Sequence, residues 1–370
     1  MSTLTILFLL FIVIVLIQFI FYVVIFSKFA FSKDEKPSQK NVGVSVLICA
    51  KNESDNLKEF VPKIIAQDYP KFEIILINDA SDDDSFLVMK NFEEKHPNIK
   101  VVDVAPNDTF LSKKKYALTL GIKIAQYNFL LFTDADCHPV SNQWIKSMSS
   151  HFTNKKTIVL GYGAYNKIRK SLLNKLIRFE TLLTAIQYFS FTKIGMPYMG
   201  VGRNLAYRKE EFFNSKGFTS HIQIRSGDDD LFVNQVATSK NTTINFNRES
   251  FTESIPNSSF KKWKHQKRRH VTTASHYKFF HKVILTLFFL SQLAFWILFV
   301  SLLITTFQLQ WVLLLALFRF LFLFIIVGLS AKKLNELDLL VFLPFLELFL
   351  ISSQLIIFIS NLTSKSHIWR

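Results

Sequence analysis

The chain has 370 residues, 49% of them hydrophobic, and carries 40 Phe and a formal net charge of +16. This length holds one medium-sized globular domain and a membrane-embedded part, and the abundance of Phe argues against an ordinary soluble enzyme. The positive charge suits either a nucleic-acid binder or a membrane protein with its Lys and Arg residues on the cytoplasmic side. The two cysteines, Cys49 and Cys137, belong to no spaced Cys/His set. This pattern argues against a disulfide framework or a zinc site and fits a reducing compartment.

An almost uncharged apolar run begins the chain, from Leu4 to Phe26, and has about the length that a bilayer-spanning helix requires. It has no basic segment before it and no small-residue cleavage site after it. We therefore predict a retained membrane anchor over residues 1–27 rather than a signal peptide. A basic linker follows at residues 28–41, and its lysines predict that this flank lies on the cytoplasmic side: Lys28, Lys33, Lys36 and Lys40.

Between residues 42 and 281, short apolar runs alternate with longer amphipathic stretches, which is typical of an α/β domain. The runs Val44–Ala50 and Phe72–Asn78 predict buried parallel strands, and Asp55–Gln67 has helical spacing between them. Together these segments predict a βαβ unit at the start of a globular domain.

Three further apolar segments, near Val283–Phe307, Trp311–Leu329 and Leu339–Ile359, predict a membrane bundle over residues 282–370. An outside N-terminus followed by four spans would leave the basic tail from Lys365 to Arg370 outside, against the positive-inside tendency. An alternative is that one of the segments is interfacial rather than spanning.

Polar residues follow the first two predicted strands, where open α/β sheets bind ligands. Glu53 and Asp55 come after the first strand and are candidates to bind ribose hydroxyls, whereas Asp79 ends the second strand and is placed to accept from a base or ribose. A competing interpretation is that Ser54 or Asp55 caps the following helix.

A run of three lysines, Lys113 to Lys115, opens the next amphipathic segment. These lysines either approach a nucleotide or, as charge runs usually do, form a solvated face.

The sharpest local signal is a pair of carboxylates, Asp134 and Asp136, at the end of a predicted buried strand that begins at Asn128. A pyrophosphate would be repelled by such a pair, so the two side chains suit a pyrophosphate site only with a bridging hard cation, Mg²⁺ or Mn²⁺. The same cation would stabilise a departing diphosphate. His138 is close enough in sequence to be a further ligand, although a structural or solvent-facing histidine fits the pattern equally well.

Two polar stretches downstream are candidates for the acceptor side of a site. Arg203 and Asn204 follow a pair of glycines and either line an acceptor channel or form a turn before a strand. Asp228, Asp229 and Asp230 are consecutive carboxylates, and such crowding raises the pKa of at least one member, which suits a general base. The competing interpretation of the aspartates is N-capping of a helix.

A dense basic and aromatic segment, Lys261 to His270, precedes the C-terminal apolar region. As a membrane-surface helix it needs no catalytic role. As part of a site it offers Trp263 to stack on a sugar and Arg269 to hold a leaving phosphate.

Taken in order, these motifs resemble family 2 of the inverting nucleotide-sugar glycosyltransferases, which contains the cellulose, chitin and hyaluronan synthases and many bacterial envelope enzymes. The resemblance covers about Val42 to His270 and extends to the flanking membrane helices. It is carried by Ala50-Lys-Asn52-Glu53, Asn78-Asp79, the lysine before Ala117-Leu118, Asp134-Ala-Asp136, Gly227-Asp228-Asp229, and Gln266-Lys-Arg-Arg269-His270.

The resemblance implies an α/β, Rossmann-like catalytic domain of the GT-A type at residues 42–281, flanked by transmembrane helices. It implies that the donor is bound by Asn52, Glu53, Asp79, Lys114 and Asp134. It also implies that Asp134 and Asp136 bind Mg²⁺ or Mn²⁺. It further implies that Asp229 is the base and that Asp228, Gln266 and Arg269 are the other catalytic residues. The candidate acceptor residues, taken from residue type and position, are Asp230, Trp263, Arg203 and Asn204.

The sequence departs from the family pattern at two positions. His270 replaces the tryptophan of the QxxRW element, which argues against a processive polymer channel and favours the addition of one or a few sugars. Lys113 stands where relatives often carry glycine.

The expected function is therefore sugar transfer with inversion from a nucleotide-sugar donor, a UDP-sugar by default, to a lipid-linked or glycan acceptor at the membrane. The expected location is the bacterial inner membrane, with a cytoplasmic catalytic domain. A catalytically inactive, membrane-anchored scaffold protein is the alternative. A nucleic-acid partner is not expected, because the basic residues crowd next to membrane segments.

Overall fold

The computed structural model describes residues 2–34, 41–105 and 113–363. Lys36, Lys40 and the tail from Lys365 to Arg370 lie outside the described residues. The chain folds into two compact units. The membrane unit comprises Met1–Lys33, Lys170–Ile194 and Ser258–Arg370, and the sheet unit comprises Asp34–Arg169 and Gly195–Asn257.

The described residues contain ten strands and thirteen α-helices. The strands are β1 (Val44–Ala50), β2 (Phe72–Asp79), β3 (Ile99–Val104), β4 (Phe129–Asp134), β5 (Cys137–Pro139), β6 (Ile158–Leu160), β7 (Gly163–Tyr165), β8 (Leu205–Arg208), β9 (Thr242–Ile244) and β10 (Thr252–Ser254). The helices are α1 (Thr3–Phe19), α2 (Ser27–Ala30), α3 (Ser54–Ile65), α4 (Ser85–Lys95), α5 (Lys113–Ile124), α6 (Trp144–Ser149), α7 (Leu172–Lys193), α8 (Lys209–Asn214), α9 (Asp230–Val236), α10 (Phe260–Ala274), α11 (Phe279–Ile304), α12 (Leu309–Lys333) and α13 (Leu343–Thr363).

The sheet unit is built on a seven-stranded sheet with the order β3-β2-β1-β4-β8-β6-β9, and a three-stranded sheet has the order β5-β10-β7. Strand β1 runs parallel to both β2 and β4, whereas β8 is antiparallel to β4 and β6. In this register Cys49 lies opposite both Ile77 and Asp134. The carboxyl ends of β1, β2 and β4 therefore emerge together at one edge of the sheet.

The predicted βαβ unit is confirmed, because β1 and β2 are parallel and α3 connects them. Both strands are buried along nearly their whole length, as expected of parallel strands covered on both faces. Helix α3 buries Leu57, Phe60, Val61 and Ile64, which recur at helical spacing, and all of these except Phe60 join the core of the sheet. The mixed α/β class predicted for this part of the chain is thus observed.

The membrane unit holds four helical stretches that are long and apolar enough to cross a membrane. They are Thr3–Ala30, Phe279–Ile304, Leu309–Lys333 and Leu337–Asn361. The first stretch consists of α1, a π-helical segment Ile20–Phe26 and α2. Aromatic contacts join α1 to its neighbours, since Phe11 stacks on Phe295 at 5.6 Å and Phe19 on Phe318 at 5.8 Å. The four apolar segments predicted from the sequence are all present as helices.

A buried polar network links one residue from each of these four stretches. The Arg319 side chain is fully buried, its Nη1 donates to Glu347 Oε2 at 2.8 Å, and its Nη2 forms an ion pair with the same carboxylate. Arg319 Nε donates to Gln18 Oε1 at 2.7 Å, and Gln292 Nε2 donates to Glu347 Oε1 at 3.2 Å. A charge inside an apolar bundle is costly unless it is paired, so this network specifies how the helices pack.

Two amphipathic helices also belong to the membrane unit. Helix α7 pairs its buried Arg178 with Glu336 and Asp338, and Glu180 of α7 lies 2.5 Å from Lys267 of α10. Both helices fall inside residues 42–281, the range predicted from the sequence for the catalytic domain, and that functional boundary stays a prediction.

The Arg319–Glu347 ion pair leads to a testable prediction about the stability of the membrane unit. Arg319→Leu and Glu347→Leu should each lower the free energy of unfolding by about 3–5 kcal/mol, because each leaves one buried charge without its partner. The double variant should lose less than the sum of the two single losses. Unfolding in detergent measures both effects, with the lipid-facing Leu317→Ala as the control. Losses that simply add would contradict a coupled pair.

Candidate active site

One ammonium group joins two parts of the sheet unit at the edge where the strands end. Lys114 Nζ lies 3.0 Å from Asp134 Oδ1 at the end of β4 and 3.0 Å from Asp228 Oδ2 before α9. Burial acts to lower the pKa of Lys114, but the carboxylates of Asp134 and Asp228 outweigh it and hold that pKa well above its usual value. Lys114 is therefore a permanent positive charge at this edge.

The pKa values of Asp228 and Asp229 are shifted in opposite directions although the two residues are adjacent. Burial acts to raise the pKa of Asp228, yet Lys114 outweighs it and the pKa falls below its usual value. For Asp229, burial together with the negative charges of Asp228 and Asp230 raises the pKa to about 8. The expectation that crowding raises the pKa of one member of this group is thus met by Asp229.

Asp229 is also held in place by the backbone. Its Oδ2 accepts from the Gly202 N–H at 2.6 Å, and its Oδ1 accepts from the Asp230 N–H at 2.7 Å as the N-cap of α9. Asp229 is therefore both the N-cap of α9 and a member of the carboxylate cluster. A Cβ at position 202 would lie 3.2 Å from Asp229 Oδ2, so glycine permits the close approach. Lys114, Gly202, Asp228 and Asp229 all line one cavity at this edge.

Within the described residues, the side chains of Asp134, Asp136 and Cys137 bring ligand atoms to within 4.8 Å of one another. Burial and the neighbouring Asp134 charge raise the pKa of Asp136, as expected of two carboxylates that lie close together. Such oxygen ligands fit Mg²⁺ or Mn²⁺. His138 is not in this group, and its ring instead stacks on Phe60 at 4.9 Å.

Cys137 supports the carboxylates rather than serving as a third ligand for a hard cation. Its thiol is buried, which raises the pKa well above the usual value and keeps the proton on sulfur. The Sγ–H donates to Asp136 Oδ1 at 3.2 Å, and Ser254 Oγ lies 2.8 Å from the sulfur. We infer that Cys137 orients Asp136.

The loops after β1 and β2 are bonded to each other. Asn52 Oδ1 accepts from the Asp82 N–H at 2.8 Å, and Ser85 Oγ accepts from the Glu53 N–H at 2.8 Å. The interpretation that Ser54 or Asp55 caps α3 is wrong, because no side chain at the N-cap of α3 makes a capping bond. Instead, Oδ2 of Asp83, from the second loop, accepts from the Ser54 N–H at 3.1 Å.

Glu53 and Asp79 both lie at this edge of the sheet with raised pKa values. Burial is the main cause at both positions. Asp79 is buried at the end of β2, and the positive charges of Lys51, Lys113 and Lys114 act on it in the opposite direction. Asp79 therefore lies near several positive charges, whereas the charged neighbours that act on Glu53 are the carboxylates of Asp136, Asp134 and Asp83.

Asn204 requires a correction to the predicted acceptor residues. Its side chain is fully buried; Nδ2 donates to the carbonyl oxygens of Tyr162 and Ser250, and Oδ1 accepts from Trp144 Nε1. These bonds give Asn204 a structural role, and it is not part of the acceptor site proposed below. Arg203 packs over the Tyr165 ring at 4.2 Å.

The remaining predicted residues lie on α10 in the membrane unit. Trp263 is only 1% exposed and packs against the Phe260 ring at 5.3 Å, so the predicted stacking of Trp263 on a sugar does not fit its burial. The participation of Gln266 and Arg269 in the site stays a prediction.

Lys115 is a residue whose place the sequence did not indicate. Its side chain is fully buried, and Nζ donates to the carbonyl oxygens of His221 at 2.7 Å and Ile224 at 2.9 Å. Burial lowers its pKa to about 8. Lys115 thereby fastens the loop that leads to Asp228 and Asp229. The available signal was geometric, since consecutive helical residues point about 100° apart and three lysines in a row cannot share one solvated face.

A mixed α/β sheet with acidic residues at its strand ends, in a chain that also carries four long apolar helices, defines the class as a membrane-inserted glycosyltransferase of the GT-A type. Residues 8–370 match the family model of glycosyl transferase family 21, and the chain belongs to this family.

Relatives and a solved structure agree with this class. The chain is 32% identical over 125 residues to the poly-beta-1,6-N-acetyl-D-glucosamine synthase of Staphylococcus epidermidis, which covers 31% of this chain and 29% of the synthase. It is 35% identical over 94 residues to the synthase of the same name from Staphylococcus aureus strain MSSA476, covering 25% of this chain and 22% of the synthase. The matches thus span less than a third of these relatives. The resemblance to membrane-anchored sugar polymer synthases is confirmed.

The solved structure is the mannosyltransferase PcManGT from Pyrobaculum calidifontis in complex with GDP-Man and Mn²⁺. It aligns with 99% of this chain and 100% of its own, with a TM-score of 0.63 and 16% identity. This likeness shows a shared fold and confirms the predicted fold class.

The role of Lys115 in holding the loop of His221 and Ile224 can be tested without any substrate. Lys115→Met removes the hydrogen bonds from Nζ to the carbonyl groups of His221 and Ile224, which should cost about 1–3 kcal/mol of stability and loosen the loop. Hydrogen–deuterium exchange of the peptide covering residues 219–228 should become faster. Lys113→Met, which changes an exposed neighbour, is the control and should leave the exchange unchanged. Equal exchange rates in the two variants would show that Lys115 does not hold this loop in place.

Proposed function

We propose that the chain transfers a sugar from a nucleotide-diphosphate sugar to an acceptor at the membrane, with inversion, and that Asp229 is the general base. The observation that carries the proposal is the arrangement around Lys114, where a permanent cation contacts the Asp-x-Asp pair on one side and the Asp228–Asp229 pair on the other. One cavity would therefore bind a negatively charged leaving group beside Lys114 and also hold the proton-accepting carboxylate of Asp229.

The donor would bind along the edge where β1, β2 and β4 end. Asn52, Glu53 and Asp79 are the proposed residues for the base and ribose, and Lys114 supplies positive charge for the diphosphate. A UDP-sugar is the default donor. The similar mannosyltransferase is in complex with GDP-Man and the similar synthases are N-acetyl-D-glucosamine polymer synthases, so both hexosyl and N-acetylhexosaminyl donors belong in a test.

Asp134 and Asp136 are the proposed ligands of Mg²⁺ or Mn²⁺. When bound, such an ion supplies positive charge that stabilises the departing diphosphate. Cys137 would keep Asp136 oriented, because it donates to the Oδ1 atom of that carboxylate. Gln266 and Arg269 remain proposed partners of the leaving group from the family resemblance.

The proposed reaction is a single displacement. The Asp229 carboxylate takes the proton of an acceptor hydroxyl as the acceptor oxygen bonds to the anomeric carbon and the bond to the diphosphate oxygen breaks. Asp228 is less suited to this role, since its ion pair with Lys114 lowers its pKa. The Gly202 N–H and the α9 N-terminus hold Asp229 in one orientation. Arg203 and Asp230 remain the proposed acceptor residues.

The proposed setting is the bacterial inner membrane, with the catalytic residues in the cytoplasm. Lys28 and Lys33 follow the apolar run from Leu4 to Phe26, which agrees with an inside location of that flank. The proposed acceptor is a lipid-linked sugar or a growing cell-envelope glycan. His270 in place of the tryptophan favours the addition of one or a few sugars.

A donor screen with the purified full chain tests the proposal. UDP- and GDP-linked hexoses and N-acetylhexosamines are supplied with Mg²⁺ or Mn²⁺, and the released nucleoside diphosphate is measured. Asp229→Asn should reduce transfer by about 10²–10⁴-fold while donor binding is retained. Asp84→Asn, an exposed carboxylate at the start of α4, is the control.

The pH dependence gives a second readout from the same assay. A base acts when deprotonated, so kcat/KM of the wild type should rise as the pH increases through the Asp229 pKa of about 8. Retained turnover in Asp229→Asn would exclude Asp229 as the base. A folded chain that neither transfers nor hydrolyses any donor would favour the inactive scaffold instead.

A further inference from the structure

The contacts among the first three apolar stretches define two sides of the membrane unit. Helices α1 and α11 are antiparallel, because Phe8 meets Phe307 whereas Gln18 donates to the Ser291 carbonyl oxygen. Helix α12 runs parallel to α1, since Arg319 meets Gln18 and Lys333 donates to the Phe29 carbonyl oxygen at 3.2 Å. The end of the first stretch, the start of α11 and the end of α12 therefore share one side, here called the near side.

Helix α13 begins on the near side. Residues 334–336 join α12 to the 3₁₀ segment Leu337–Phe342, which runs directly into α13. Arg178 of α7 pairs with Glu336 and Asp338, and Lys175 Nζ lies 4.2 Å from the centre of the Phe342 ring. Helix α7 also contacts the end of the first stretch, where Phe189 packs on Phe29 at 5.1 Å. These contacts place α7 and the start of α13 together.

The other end of α13 is bonded to α10. Arg268 Nε donates to Asn361 Oδ1 at 2.8 Å, and Arg268 Nη2 donates to the Ser360 carbonyl oxygen at 3.1 Å. The Phe260 ring at the start of α10 lies 6.2 Å from the Phe349 ring. Helix α10 therefore runs alongside the second half of α13.

Helix α10 can lie only on the near side. Four residues, 275–278, join it to the start of α11, and such a link reaches at most about 18 Å, against a hydrocarbon core of roughly 30 Å. The helix itself is too basic to enter the hydrocarbon, and its Lys267 pairs with Glu180 of α7. Its cationic residues are Lys261, Lys262, Lys264, Lys267, Arg268 and Arg269.

We propose that α13 does not cross the bilayer but lies within the leaflet on the near side, so that the chain crosses the membrane three times. The partner of its outer face is then the acyl region of a single leaflet, which suits the apolar side chains exposed there. These include Phe345 at 57%, Ile356 at 46% and Phe358 at 54% exposure.

This placement brings the charge distribution into line with the positive-inside tendency. The basic residues after α13, from Lys365 to Arg370, follow an end of the helix that is bonded to α10. The proposal predicts that they share a side with Lys28, Lys33 and the cations of α10. Four crossings would instead separate the tail from all of these cations.

Cysteine labelling of the full chain in spheroplasts tests the proposal without reference to any enzymatic activity. An impermeant maleimide is applied before and after permeabilisation, and the modified residue is identified by mass spectrometry, so Cys49 and Cys137 can stay. Ser275→Cys, between α10 and α11, reports the near side. Gln310→Cys, at the start of α12, reports the opposite side. Lys365→Cys is the test position, with Ser366→Cys as a second variant.

The expected result is that Lys365→Cys reacts under the same condition as Ser275→Cys and not under that of Gln310→Cys. Reaction together with Gln310→Cys would show that α13 crosses the bilayer and would overturn the proposal. Failure of both tail variants to react on either side would also contradict it, because the proposal places the tail in water.

Discussion

The ammonium group of Lys114 is the interaction on which the candidate site depends. Four carboxylates, those of Asp134, Asp136, Asp228 and Asp229, converge at one edge of the sheet unit, and their mutual repulsion would open the site without a positive charge among them. Lys114 contacts one carboxylate from each pair at 3.0 Å and so fastens the end of β4 to the loop before α9. The unequal pKa values of Asp228 and Asp229 follow from this contact, because only Asp228 is paired with the cation.

Much of the framework that holds this site could be predicted from local sequence patterns. Buried parallel strands are continuous apolar runs, so β1 and β2 were recognisable, and the polar residue after each strand marked the edge where ligands bind. The convergence of Asp79 and Asp134 then follows from parallel pairing with β1. Crowding of three successive aspartates likewise foretold a raised pKa, because charge repulsion between neighbours needs no knowledge of the fold.

What the sequence could not supply were partners distant along the chain. Lys115 contacts carbonyl groups more than 100 positions away, and nothing in a run of three lysines shows which one the core receives. Asn204 and Trp263 were assigned to an acceptor from residue type alone, whereas their burial depends on tertiary packing. The sequence likewise did not show that α7 and α10 belong to the same unit as the apolar helices. Their ion pairs, Arg178 with Glu336 and Glu180 with Lys267, join residues that are far apart in the sequence.

The central claim is that the Asp-x-Asp pair holds a divalent cation together with a nucleoside diphosphate. Electron paramagnetic resonance of free Mn²⁺ with the purified full chain tests it most directly, with UDP or GDP added and with protein-free nucleotide as the blank. The account predicts that the nucleotide increases Mn²⁺ binding to the wild type beyond the blank and that Asp136→Asn abolishes this increase. An equal increase in Asp136→Asn, or none in the wild type with either nucleotide, would contradict the account.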